Sequence, residues 1–224
     1  MAGHKNRLLF RKEERGVYIS HLDLMALFQR AFLRAGVAIW QTQGYNRHSF
    51  VSLPLPLSVG YSSRCELLEF TLESDIPLDE IPARLNATLP EGIVVERCYE
   101  AEAPFKRIAA IDWTVALEYD DGTPEGVLPA LEEFFAQESC VIQKPSKKSK
   151  KGYTELDLIP MVYQWDAAAE PHTVNLHLRL MAQNPGLNPA VLVGTLTERR
   201  PELTPDFVRY RRNEIFGADG GIFR

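Results

Sequence analysis

The sequence predicts an α+β protein made of two tandem ferredoxin-like units, each a split βαβ arrangement, the second enlarged by an extra basic hairpin. Two observations carry this reading. Segments with two-residue and 3.6-residue apolar periodicity alternate in the order β-α-β-β-α-β over roughly the first hundred residues, and the order then recurs. Between the halves the stretch EAEAPFKRIAA, residues 100–110, breaks the pattern, which divides the chain into units 1–103 and 104–224. A length of 224 residues at 45% hydrophobic composition is enough for one large core or two small ones. No residue-level repeat links the halves, so a single larger mixed-sheet domain remains the alternative.

Element by element, residues 6–12 and the short run 17–19 are β-like. Ser20-His21-Leu22-Asp23 then has the S-x-x-D form, in which a hydroxyl and a carboxylate satisfy the first unpaired amides of a helix. Leu24, Leu27, Phe28, Ala31, Phe32 and Ala35 follow at spacings of three and four, and Gly36 supplies a stop, so a helix is expected over 21–35. Residues 37–41 are a strand candidate. After the polar loop 43–50, Pro54 and Pro56 remove two amide donors from one edge, so this stretch is expected to be an edge strand or an irregular arm. Residues 65–73 read as a strand, 78–89 as a helix with Pro82 in its first turn, and 93–99 as a strand. The second half gives a strand at 113–119, a helix at 125–137, a hairpin from 140–144 and 153–161, a strand at 173–181, a helix at 188–198 and a final strand at 207–211.

Composition excludes several classes. A net charge of -5 and an isoelectric point near 5.6 mean that any nucleic-acid contact must come from a local patch, and no DNA partner is expected. Cys65, Cys98 and Cys140 are odd in number and lie far apart, which gives neither a disulfide framework nor a zinc or iron-sulfur site; no metal and no cofactor are expected in this chain. The N-terminus lacks an apolar signal region and no long apolar run follows, so the expectation is a cytoplasmic protein without membrane contact. Nucleotide-binding glycine loops, G-x-S-x-G, H-E-x-x-H and the radical SAM cysteine triad are all missing. His172 and His177 lie five apart on a strand, which points them to opposite faces and argues against a shared metal.

Two groups of residues remain as candidates. Lys144, Lys147, Lys148, Lys150 and Lys151 concentrate five lysines at the expected hairpin tip of an acidic protein. Such a cluster suits phosphate contacts, whose strength comes from counterion release, and it equally suits a solvated tip. Gly44, Asn46, Arg47 and His48 in the loop QGYNRHSF group polar side chains fit for an anionic or carbonyl-bearing ligand. His21, one residue past the expected helix cap, could act with His48 as an acid-base pair if the two converged. Nothing in the spacing forces the two together. Arg209-Tyr210-Arg211-Arg212 offers a second small basic stripe or simply a polar strand face.

Ser20-His21-Leu22-Asp23-Leu24-Met25, Arg34-Ala35-Gly36, Gln43-Gly44-Tyr45-Asn46, His48 and Leu53-Pro54-Leu55-Pro56-Leu57-Ser58-Val59-Gly60 together resemble the radical-SAM-linked protein family. That is a bacterial domain of unknown function encoded beside, or fused to the C-terminus of, a cobalamin-domain radical SAM protein. The family's basic hairpin ahead of D-L-x-P is matched by 147–151 and Asp157-Leu158-Ile159-Pro160. One departure stands out: members commonly read G-F-N-P-H-P-K-I-S-F, whereas residues 44–53 lack both prolines and the lysine.

The resemblance implies an accessory role to a radical SAM partner that carries the cluster itself. Three readings follow: an RNA-binding module for tRNA or rRNA modification, a protein adaptor docking through the loop and the proline-rich arm, or a metal-independent endoribonuclease using His21 or His48. The last rests only on architectural analogy with CRISPR repeat-RNA endoribonucleases, and fold does not set function.

Overall fold

The computed structural model of the chain describes residues 5–145 and 152–224, and these form a mixed α+β protein with mostly antiparallel strand pairing and four α-helices. The residues fall into two units, one of Met1–Ile108 with Arg211–Arg224, the other of Ala109–Tyr210.

In the first unit β1 (Lys5–Lys12) leads through a short 3-10 turn, Glu14–Tyr18, into α1 (His21–Arg34). The turn replaces the β-like run expected at 17–19. The helix starts where its cap predicts: Ser20 Oγ accepts from the Asp23 amide at 3.2 Å. Gly36 follows with φ 67, the left-handed conformation that ends a helix cheaply only for glycine. β2 (Ser62–Thr71), α2 (Ile81–Asn86) and β3 (Ile93–Glu100) complete this half. β1 pairs antiparallel with β2 on one side and β3 on the other, giving the order β3-β1-β2.

The six-residue α2 is shorter than expected. Asn86 closes it by turning its amide onto the next strand, where Nδ2 donates to Val95 O at 2.9 Å and Oδ1 accepts from Val95 N at 2.8 Å. This pair of bonds occupies groups that would otherwise lie open on the β3 edge.

Both faces of β1 are covered. Leu8 and Phe10 face α1 and pack with Phe28, Phe32, Leu68 and Phe70, with Phe10–Phe28 and Phe32–Phe70 ring centroids each 4.8 Å apart. On the other face Arg7 is fully buried. Its guanidinium bonds Glu69 (Nη2–Oε2 3.0 Å), the Ala103 carbonyl and the Arg224 main-chain oxygen, and lies 4.3 Å from the Phe105 ring centroid and 5.0 Å from that of Phe223. A planar guanidinium donates along its edges while its faces stack on aromatics, which is why arginine rather than lysine can fill this place.

The second unit runs β4 (Ile108–Glu118), α3 (Val127–Phe135), β5 (Val141–Pro145), β6 (Tyr153–Asp157), β7 (Val162–Glu170), β8 (Thr173–Met181), α4 (Pro189–Arg199) and the start of β9 (Phe207–Gly217). β8 pairs antiparallel with both β4 and β7, while β5 and β6 form a separate two-stranded hairpin. The expected hairpin arm 153–161 is two things: β6, which ends at Asp157, and a 3-10 turn over Ile159–Met161, after which β7 follows as a distinct strand that was not expected. Trp113, Val115, Leu117, Leu176, Leu178 and Leu180 are buried on one sheet face. Asp112, Thr114, His177 and Arg179 take the other, where Arg179 grips Asp112 through two bonds of 2.7 and 2.9 Å. From Arg211 onward β9 belongs to the first unit, where Arg211 and Arg212 pair in parallel with Ser62 and Ser63.

Candidate functional site

Residues 37–57 of the first unit do not form a regular strand. They touch it through isolated antiparallel bridges, Ile39↔Leu72 and Ser52↔Glu69, and between these the chain turns back on itself at Gln41↔Ser49. The result is an arm. Phe50 N donates to Trp40 O and Thr42 N to His48 O, both at 2.9 Å, and the Trp40 and Phe50 rings meet edge to face at 5.6 Å. Gln29 of α1 anchors the base by donating to Ser49 O at 2.9 Å.

The tip carries the loop residues singled out from the sequence. Gln43, Gly44, Tyr45, Asn46, Arg47 and His48 are all exposed, and Tyr45 is 101% exposed. Gly44 has φ 130, and a Cβ there would meet nothing within 4 Å, so backbone conformation and not space calls for glycine. Among the described residues the side chains of Gln43, Tyr45, Asn46 and Arg47 make no hydrogen bond or ion pair. His48 differs. Its Nδ1 lies 3.1 Å from Thr42 Oγ1 and 3.2 Å from the Asn46 carbonyl. A carbonyl only accepts, so the bond to Asn46 requires a proton on Nδ1, and this contact fixes the orientation of the ring at the tip.

The remaining candidates lie elsewhere. His21 is the first residue of α1, half-buried, and no hydrogen bond or ion pair among the described residues joins it to His48. Asp23 is engaged in capping, with its Oδ2 accepting from Ser20 Oγ at 2.7 Å. Lys144 is an exposed residue of β5, opposite Thr154. Lys147, Lys148, Lys150 and Lys151 lie outside the described residues. Asp157, in the D-L-x-P stretch, closes the base of the β5–β6 hairpin: Oδ1 accepts from Cys140 N and Oδ2 from Ser139 Oγ, both at 2.8 Å, and these bonds hold its carboxyl below the usual aspartate range.

The basic stripe at 209–212 is largely committed. Arg209 pairs with Glu118 (Nη2–Oε2 3.1 Å), Arg211 donates to Asn213 at 3.0 Å, and Arg212 is buried against Glu66. The proline-rich arm is likewise turned inward: Leu53, Leu55 and Leu57 are buried, leaving Val59 exposed. An adaptor surface there has little apolar area to offer. Burial pushes the Cys65 and Cys98 thiols up to about 12, far from a reactive thiolate. Among the described residues no group of three or more His, Cys, Asp or Glu side chains is placed to hold a metal, and no helix is long and apolar enough to cross a membrane.

Three aromatics of the arm, Trp40, Tyr45 and Phe50, had not been singled out from the sequence as contact residues. The signal was present in the polar WQTQ and RHS runs flanking Gly44-Tyr45-Asn46, which can pair across a tight turn.

The arm falls within residues 5–189, which match the model of a family described as "Uncharacterized protein conserved in bacteria (DUF2344)". The chain belongs to this DUF2344 family. No curated protein matches it. Among solved structures, 94% of this DUF2344 chain is similar to 48% of a chain in a crystal structure of a Cbf5–Nop10–Gar1 complex, at 10% identity and TM-score 0.50. A second similarity, to an H/ACA RNP bound to a substrate RNA containing 2′-deoxyuridine, covers 92% of this chain and 46% of that one, at 11% identity and TM-score 0.47. The DUF2344 chain thus spans about half the length of these two solved chains. At such identity the likeness concerns fold alone.

Proposed function

We propose that this DUF2344 protein is a non-catalytic RNA-binding module that serves a radical SAM enzyme in tRNA or rRNA modification. The observation that carries the reading is the arm tip, where an aromatic ring, two amides and a guanidinium stand exposed and unengaged on a base fixed by Gln29 and by the Trp40–Phe50 contact. RNA is read by that combination, through stacking on rings, amide bonds to base edges and guanidinium contacts to phosphate. Lys147, Lys148, Lys150 and Lys151 would add sequence-independent phosphate contacts. The radical SAM partner is inferred from the motif resemblance and would supply the cluster for which this chain has no cysteine triad. His48, tied to Thr42 and Asn46, serves in this reading to shape the tip rather than to move protons.

The same reading holds each unit to be a ferredoxin-like fold. In the first, the second strand of the motif is reduced to the bridges of the arm. In the second, the β5–β6 hairpin is inserted between α3 and β7, and β9, β4, β8 and β7 follow one another in the order of that motif.

The test is binding of bulk cellular RNA by fluorescence anisotropy across a salt series. Wild type is expected to lose affinity steeply with salt, and replacing the four lysines with alanine is expected to flatten the log–log slope by about three. Absence of salt-sensitive binding to any RNA ends the proposal and leaves the protein-adaptor reading, for which co-purification with the radical SAM protein is the measurement.

A further inference from the structure

We infer that the arm tip selects unpaired bases, with Tyr45 as a stacking platform, so that the preferred ligand is single-stranded RNA and not duplex. This rests on the RNA-binding reading and deepens it by naming the class of RNA.

The argument starts from exposure. A tyrosine ring wholly in water has no packing role in this chain, yet Tyr45 stands at 101% exposure between a glycine and an asparagine. Its π-face can be covered by a base only if that base is out of its helix, because the bases of A-form RNA already stack on one another. Duplex RNA would be recognised through shape and phosphates, which calls for spread cations, and the tip holds one, Arg47. The amides of Gln43 and Asn46, without protein partners among the described residues, suit the hydrogen-bonding edges that a splayed base exposes.

The base of the arm supplies the second half of the argument. Trp40 and Phe50 are held edge to face at 5.6 Å and remain 36% and 45% exposed, so they add accessible aromatic surface at the base of the same arm. The main-chain bonds between residues 40 and 50 and between 42 and 48 fix this base. The side chains of Gln43, Tyr45, Asn46 and Arg47, uncommitted within the protein among the described residues, adapt to the base they receive. A fixed frame with an adaptable end loses less entropy on binding than a wholly mobile loop.

The experiment compares a labelled single-stranded RNA of about twelve nucleotides, within the usual site size, with the same strand annealed to its complement. The proteins are wild type, Tyr45→Ala and Tyr45→Phe. Wild type is expected to prefer the single strand. Tyr45→Ala is expected to weaken that binding by about ten-fold while leaving duplex binding unchanged, and Tyr45→Phe is expected to restore it because the ring, not the hydroxyl, does the stacking. Circular dichroism checks that each variant is folded. Equal binding of both RNAs, with Tyr45→Ala neutral, overturns this inference and leaves the RNA reading standing. Failure of wild type to bind either RNA at low salt overturns both. A Tyr45→Ala protein that binds RNA normally but no longer retains the radical SAM protein assigns the arm to a protein partner instead.

Discussion

Arg212 Nη1 lies 2.6 Å from Glu66 Oε1, and each of the two side chains is only 3% exposed. The two residues are 146 positions apart, and the same guanidinium nitrogen also donates to Leu55 O at 3.1 Å. One ion pair thus ties the C-terminal strand, the central strand β2 and the proline-rich arm of the first unit to one another. Lys12 lies in the same field, fully buried, with its ammonium donating to Val17 O at 2.9 Å and its pKa lowered chiefly by burial.

Removing one partner of such a pair leaves a charge buried. Arg212→Met is expected to destabilise the protein by about 3–5 kcal/mol, whereas the double variant Arg212→Met, Glu66→Met should recover much of that loss. Urea denaturation of the three proteins measures both quantities. A single variant within about 1 kcal/mol of wild type would mean that the pair does not hold the strand.

Gly16 and Gly92 meet back to back. Glu13 N donates to Gly92 O at 2.8 Å, and a Cβ on Gly16 would come within 2.5 Å of that oxygen. Gly92 also has φ +87. Gly92→Ala therefore faces both a steric clash and an unfavourable backbone, and is expected to cost about 2–4 kcal/mol. Gly36→Ala, at φ +67 with nothing within 4 Å, meets only the backbone penalty of about 1–2 kcal/mol. Thermal melts that rank Gly36→Ala as the more damaging change would contradict this account.

Asp157 sets a pH dependence at the base of the β5–β6 hairpin. Its folded-state pKa is lowered, first by the Cys140 amide and then by the Ser139 hydroxyl. The stabilising contribution is therefore present in full above the unfolded value of about 3.9 and is lost as pH falls through the lower, folded value. Carbon-detected NMR titration of the carboxyl is expected to show a midpoint below about 3.9, and Asp157→Asn is expected to remove that titration and broaden the Cys140 amide signal. A midpoint at or above the ordinary value would show that the amide bond is not formed in solution.

Much of the fold is legible in the sequence wherever neighbours along the chain decide the outcome. Ser20 and Gly36 bracket α1 as expected, and Asn188 caps α4 by accepting from Ala190 N at 2.9 Å. Strand β7 was hidden because its run Ala167-Ala168-Ala169 has almost no apolar alternation, so the segment does not announce which face is buried. The segment with Pro54 and Pro56 was anticipated as an edge strand or an irregular arm, and the second is what forms, with one bridge where Ser52 still has an amide to give. At the candidate site the sequence marked Gly44, Asn46, Arg47 and His48. The exposure of Trp40 and Phe50 beside them depends on packing around the arm.

By itself the sequence determined where α1 starts and stops, the alternation of β4 and the polar, glycine-bearing loop, because caps, periodicity and turn chemistry act over a few residues. Tertiary structure alone decided that Arg7 is buried against Phe105 and Phe223, that Arg212 meets Glu66 and not solvent, and that the proline-rich arm turns its leucines inward. Each of these joins residues far apart in the chain, and a charged side chain enters a core only when distant partners are brought there to satisfy it.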